Sequence, residues 1–329
     1  MMKEIELGNS GLRAPQLGFG CSALLGRSGR TDSLRALGAA WEEGIRFFDT
    51  ARSYGYGESE ALLGEFLKGR RDQTILATKF GILASPQARW KQAAKSVART
   101  VLAVAPWSRS LLQKGAAGQF SHNEFTLAVL AQSIEQSLRK LGTDYVDLLL
   151  MHSAPASVLE QEDLLEALGR LVEQGKVRVS GLSADPSVVA LALEKQTKPL
   201  RAMQFPCNVF DLSAAAGIAQ QSAGDCILVA NHPFGGVARV RQCQETLRTL
   251  AQNQRLNASL REKLAGNDAT LLGDVVLNAV LRDTGIHVVI PAMMSVKHIR
   301  ANVEAVANSR FNSQEIAQIR HALISQPAS

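Results

Sequence analysis

An alternation in this sequence constrains its fold more than any other feature. Short apolar runs are each followed by a longer segment with apolar residues three and four apart. The runs QLGFG (16–20), GIRFF (44–48), QTILATK (73–79) and YVDLLLMH (145–152) read as strands, as do VRVSGLS (177–183), RAMQFP (201–206), CILVANHP (226–233) and IHVVIP (286–291). Helical spacing marks 33–44, 58–69, 123–142, 163–176, 187–196, 213–223, 269–285, 296–308 and 314–325. A strand, a crossover helix and a next strand lie parallel, so this order predicts a parallel sheet with helices outside. Eight such units in one chain of 329 residues predict an α/β fold, a closed (β/α)8 TIM barrel, with a doubly wound sheet as the alternative. The opening IELGNSGLRAP predicts a hairpin turning at Asn9–Gly11, a lid on the barrel bottom, and 314–325 predicts a closing helix.

No linker rich in Pro, Gly or Ser interrupts the pattern, so a single domain spanning 1–329 is expected. Two connections, about 81–121 and 233–267, exceed simple turns and are expected as long loops at the C-terminal ends of strands. That is the face on which barrel active sites sit. Trp90 and Trp107 lie in the first connection, where they either roof a site or pack a small core of their own.

Composition excludes several classes. With 46% apolar and 20% charged residues, the chain can bury a large core and is not of disordered type. Its 36 basic and 30 acidic residues are interspersed, for a net charge of +6. The densest basic run, Lys68 to Arg71, reads as a solvated helix end. Aromatics at 5%, without basic interleaving, argue against a nucleic-acid partner. Cys21, Cys207, Cys226 and Cys243 are widely spaced with no CxxC pair, which suggests neither a zinc site nor a disulfide framework. The start MMKEIELGNSG has no apolar leader core and no run of 18 apolar residues occurs, so no membrane partner is expected and a cytoplasmic location is the default.

Three polar residues stand where strands end. Asp49 follows GIRFF, Lys79 follows TILAT and His152 follows DLLLM. Tyr54 arrives from the Gly-rich loop after Asp49. Singly, each has a bland explanation: a helix cap, a solvated lysine, a loop histidine. Together, at one barrel mouth, they have a chemical sense. A phenol with pKa near about 10 is a poor acid at neutral pH. A neighbouring ammonium favours the phenolate and is expected to lower that pKa. A buried lysine needs a carboxylate to stay charged. A histidine can donate to a carbonyl oxygen. Such a set protonates a developing alkoxide. It contains no covalent nucleophile and no metal-ligand spacing, so another agent, generally a cofactor, supplies electrons.

The segments FFDTARSYGYGESE, LATKF and DYVDLLLMH resemble the aldo-keto reductase family. The resemblance runs from ELGNSGLRAPQLGFG through VSGLS and MQFPCNVFD to VVIPAMMSVKHIRANVEA, nearly the whole chain. It implies an eight-stranded α/β barrel, a nicotinamide dinucleotide cofactor, usually NADPH with NADH as the other option, and a small carbonyl or alcohol substrate. It implies Tyr54 as general acid, Asp49 and Lys79 as the residues that tune it, and His152 as the residue that positions the carbonyl. It places the nicotinamide carboxamide at Ser183 and Gln204, and puts Gly20 and Cys21 on the cofactor side. The pyrophosphate falls at HPFGGVAR, with Pro233, Phe234, Gly235 and Gly236, although a plain turn is the competing reading. The adenosine phosphate falls at Pro291, Ala292, Ser295, His298 and Asn302.

The chain also departs from the family pattern. Ala184 stands where Asn usually follows the serine, and Asn231 where many members place a ring that stacks on the nicotinamide. Ala292 replaces Gly or Lys, His298 replaces Arg or Gln, and Ala301 replaces an acidic residue. Ser153 follows the histidine where relatives often carry Trp. The expected function is NAD(P)H-dependent reduction of an aldehyde or ketone, or its reverse. The alternatives are a catalytically weak nicotinamide-binding regulatory protein and a lyase or isomerase using Lys79 as a Schiff base.

Overall fold

The computed structural model describes residues 2–26, 28–83, 123–266 and 270–325. Most of the first long connection, with Trp90 and Trp107, lies outside the described residues. A hairpin of β1 (Glu4–Glu6) and β2 (Arg13–Pro15) opens the chain. Eight strands follow: β3 (Phe19–Gly20), β4 (Phe47–Asp49), β5 (Ile75–Phe80), β6 (Val146–His152), β7 (Val177–Ser183), β8 (Ala202–Pro206), β9 (Ile227–Asn231) and β10 (Val288–Ile290). Each pairs in parallel with its neighbour in chain order. The first and last strands also meet: Gly18 N–H donates to Val289 O at 2.9 Å and Gly20 N–H to Pro291 O at 3.0 Å. Parallel bridges Leu17–Val289 and Gly20–Ala292 complete the seam. The sheet therefore closes into a barrel, as the eight strand–helix units predict, and not into the doubly wound alternative.

The period of two along each strand sorts side chains between two cores. Phe47, Ile75, Ala77, Leu148, Leu150, Val179, Ala202, Ile227, Val229, Val288 and Ile290 fill the barrel interior. Their chain neighbours, such as Phe48, Leu76, Leu149, Met203 and Leu228, face the helices. Leu7, Leu12 and Ala14 of the hairpin belong to the interior cluster, so the hairpin plugs the N-terminal end. Asn9 Nδ2 donates to Asp225 Oδ1 at 2.9 Å and ties the hairpin turn to the approach to β9.

The helices between strands are α1 (Arg30–Glu42), α2 (Ser59–Leu67), α3 (Leu127–Leu141), α4 (Glu162–Glu173), α5 (Pro186–Glu194) and α6 (Ser213–Ser222). The third shows why they form. Thr126 caps it by accepting from Val129 N–H, and Gly142 ends it at φ 65°. Its buried face is Val129, Leu130, Ser133, Ile134, Ser137, Leu138 and Leu141, one stripe at helical spacing.

The connection expected as a long loop over 233–267 is instead mostly helical, with α7 (Val237–Gln252) and α8 (Ala258–Ala265). Cys243, Thr246, Leu247 and Leu250 are the buried face of α7, at spacings of three and four. After them come α9 (Leu271–Asp283), α10 (Val296–Ala307) and α11 (Ser313–Ser325). Among the described residues no helix is long and apolar enough to cross a membrane.

Candidate active site

Five inward-facing rows of the barrel turn polar at their last position. Phe47 is followed two residues on by Asp49, Ala77 by Lys79, Leu150 by His152, Ala202 by Gln204 and Val229 by Asn231. The strand register sets several of them side by side: Gly20 opposite Asp49, His152 opposite Ser183, Ser183 opposite Gln204. Apolar packing thus ends one layer below the rim, and the polar layer above it is the site.

At its centre is a buried ion pair. Lys79 is 1% and Asp49 3% exposed. Lys79 Nζ donates to Asp49 Oδ1 at 2.7 Å and Oδ2 at 2.6 Å, to Thr50 O at 3.0 Å and to Tyr54 Oη at 3.4 Å. Burial works against the Lys79 ammonium, but Asp49 and Tyr54 outweigh it and hold its pKa above the usual value. A protonated lysine with its donors engaged is a poor Schiff-base nucleophile, which argues against the lyase reading.

Tyr54 reaches this pair from the loop between β4 and α2. Gly55 and Tyr56 both take left-handed backbone, at φ 58° and 59°. A side chain at Gly55 would sit 2.9 Å from Leu24 O, so the bend requires glycine there. The Tyr54 and His152 rings meet edge to face, 5.7 Å between centroids. The expectation that Lys79 lowers the Tyr54 pKa needs correction. Burial pushes it up more than Lys79 pulls it down, and the net shift is upward. Burial and the Lys79 charge also hold His152 down at about 3, so its imidazole is neutral.

Around the pair lies a second set of contacts. Gln204 Nε2 donates to Asp49 Oδ1 at 2.8 Å. Gln204 Oε1 accepts from Ser183 Oγ at 2.8 Å and from Asn231 Nδ2 at 3.4 Å. Sequence reasoning missed a supporting group behind the tyrosine loop. Buried Glu60 accepts from Thr78 Oγ1 at 2.8 Å and faces Arg52 at 3.7 Å, while Thr50 Oγ1 and Ser59 Oγ lie 3.2 Å apart. Glu60 lies in the first turn of α2, a position where an acid ordinarily faces solvent, and nothing in the sequence marks it as buried.

Beside Tyr54 and His152 opens a cleft of about 170 Å³, walled by Ser153, Ser183, Asp185, Gln204, Asn231 and His232. Its donors and acceptors suit a carboxamide better than an apolar group. Asn231 Oδ1 and His152 Nδ1 are buried with no partner. The loop after β9 leads into the N-terminus of α7, with Gly235 and Gly236 at φ 64° and 91°. A side chain at Gly236 would meet nothing within 4 Å. An open helix N-terminus reached by left-handed glycines suits a phosphate. Pro233 is buried and Phe234 partly buried.

The remaining predicted cofactor residues divide. Ala292, Ser295 and His298 are exposed at the start of α10, with Lys297 beside them. Arg300 is held by Glu43 at 2.9 Å. Asn302 is buried, its amide 3.1 Å from the Met293 sulfur. Gly20, Cys21 and Pro291 are buried too. Gly20 and Pro291 form the barrel seam, and the Cys21 thiol has its pKa pushed well up, first by burial and then by Asp49.

A closed eight-stranded α/β barrel with a phenol, an ammonium, a carboxylate and an imidazole at its C-terminal rim has the architecture of a barrel oxidoreductase. The chain belongs to the Aldo/keto reductase family, whose sequence model matches residues 16–324. It is 30% identical over 216 residues to aldo-keto reductase YhdN of Bacillus subtilis, a match covering 64% of this chain and 55% of that protein, little more than half its length. Two solved structures share the fold. An aldo-keto reductase of Bacillus halodurans in its holo form superposes with a TM-score of 0.71 at 24% identity, over 98% of this chain and 96% of that one. An aldo-keto reductase of Klebsiella pneumoniae in complex with NADPH superposes at 0.68 and 21% identity, over 100% and 98%.

Proposed function

We propose that this protein reduces an aldehyde or ketone to an alcohol, or runs the reverse, using a nicotinamide dinucleotide, with Tyr54 as the general acid. One observation carries the reading. The Lys79 ammonium can only donate, so at 3.4 Å the Tyr54 oxygen is the acceptor and the phenolic proton is left to give away. Asp49 keeps Lys79 charged, and that charge sits where the phenolate develops. His152, neutral, offers a ring N–H to the substrate oxygen without adding a second cation beside Lys79. Burial that holds the Tyr54 proton tightly in the resting site also excludes competing water.

Reduced dinucleotide bound at this rim supplies the hydride. Ser183, Gln204 and Asn231 are the residues for its carboxamide, and the Gly235–Gly236 entry to α7 for its phosphates. Ser295, Lys297 and His298 are exposed at the start of α10, where an adenosine phosphate would meet positive charge. The Klebsiella pneumoniae relative binds NADPH, and another relative, in Schizosaccharomyces pombe, is named for NADP(+). NADPH is therefore the proposed cofactor.

The test is turnover of a reactive aldehyde with NADPH by wild type and Tyr54→Phe, beside calorimetric titration of both proteins with NADPH. The reading expects unchanged cofactor binding and a rate reduced by about 10²- to 10⁴-fold. Undiminished turnover by the Phe variant excludes Tyr54 as the acid.

A further inference from the structure

The polarity of the cleft wall at Asn231 is set by a charge on another strand. Asp49 is a carboxylate paired to Lys79, so it accepts hydrogen bonds and does not donate. Gln204 must therefore turn its NH2 toward Asp49, and does, at 2.8 Å. Its carbonyl oxygen is thereby turned the other way, toward Ser183 and Asn231. Asn231 must in turn present its own NH2 to that oxygen, at 3.4 Å. Rotating either amide by a half-turn would bring oxygen against oxygen. The negative charge on β4 thus passes through two amides and fixes what β9 offers: an acceptor.

That acceptor, Asn231 Oδ1, is left without a donor. The Ser183 hydroxyl is spent on Gln204, and the side chains of Ala184 and Pro206 beside it have no N–H or O–H. A buried carbonyl oxygen without a donor is costly to keep, and a ligand that brings an N–H relieves it.

We infer that Asn231 recognises the amide nitrogen of the cofactor's carboxamide: its side-chain oxygen accepts an N–H from a primary amide seated beside Ser183 and Gln204. The assignment rests on the dinucleotide reading above and refines it. A polar contact at the end of β9 takes the place of ring stacking there, and the site discriminates among ligands identical but for that NH2. A carboxylate or an acetyl group in the same place brings no N–H to the oxygen.

Calorimetric titration with NADP+ and with its 3-acetylpyridine analogue, in which a methyl replaces the amide NH2, tests this directly. Wild type is expected to bind NADP+ about three- to ten-fold more tightly than the analogue, the worth of one neutral hydrogen bond. Asn231→Ala and Asn231→Leu are expected to bind the two equally, chiefly by losing affinity for NADP+. The Leu variant keeps the side-chain volume, and analogue binding by either variant reports a folded site. Discrimination of the same size in wild type and both variants overturns the assignment alone. Absence of binding of either dinucleotide to wild type overturns the dinucleotide reading and this assignment with it.

Discussion

Gln204 donates to Asp49 Oδ1 at 2.8 Å across the barrel mouth, although the two residues are 155 apart in the chain. Both are buried, at 1% and 3% exposure. The contact joins the wall of the cleft to the ion pair beneath Tyr54. A carboxylate held by an ammonium and a neutral amide has its oxygens fixed in place, and the lysine position follows from them.

Gln204→Leu removes that amide and leaves Ser183 and Asn231 without their common acceptor. Unpaired buried donors cost about 1–3 kcal/mol, so urea unfolding should show a loss of that size. Gln204→Glu serves as the comparison. It keeps the acceptor for Ser183 but sets a second carboxyl against Asp49, and is expected to be destabilising too. Stability in either variant equal to wild type would show that the contact is incidental.

Lys79→Met strands Asp49 as a buried carboxylate with Gln204 as its remaining side-chain donor. Breaking a buried pair from one side costs about 3–5 kcal/mol. The double variant Asp49→Asn with Lys79→Met removes both charges, so its loss should be smaller than the sum of the single losses. Additive losses in a double-mutant cycle would mean the two side chains do not act as a pair.

Much of this was readable from the sequence, and for one reason. A barrel strand alternates, so the residue two beyond the last inward apolar position must look into the mouth. Asp49, Lys79 and His152 are such residues, and their types alone suggested proton transfer. The link from Gln204 to Asp49 was not readable, because it depends on which strands face each other across a closed cylinder. The sign of the Tyr54 shift was not readable either, since it balances burial against one charge. The helix α7 was readable in principle: Cys243, Leu247 and Leu250 keep helical spacing. The Gly-Gly entry drew attention to a turn and hid the stripe behind it.

His152 should make the protein sensitive to acid. Its pKa is about 3 in the folded chain, against about 6.5 when unfolded. Between those values the unfolded state binds the extra proton, so stability falls as pH falls from 6.5 toward 3, by at most about 1.4 kcal/mol per unit. His152→Gln lacks that proton. From pH 7 to pH 5, wild type should lose about 2 kcal/mol more than this variant in urea unfolding. Equal losses would mean the imidazole is protonated in the folded protein.

The upward shift of the Tyr54 pKa gives the proposed reaction a testable pH dependence. Burial raises it first, with Lys79 opposing. A phenol above its usual pKa of about 10 stays protonated across the neutral range. If it is the acid in carbonyl reduction, as proposed, it is in its working form there, and kcat/KM should stay flat until the pH approaches about 10. Alcohol oxidation needs the same oxygen as a base, so its rate should climb through the range where reduction is flat. The ammonium is the group that favours phenolate, and its removal raises the phenol further. In Lys79→Met the climb of the oxidation rate should therefore start at higher pH than in wild type. A reduction rate that falls by half near neutral pH, with oxidation unchanged, would assign the titrating group to some residue other than Tyr54.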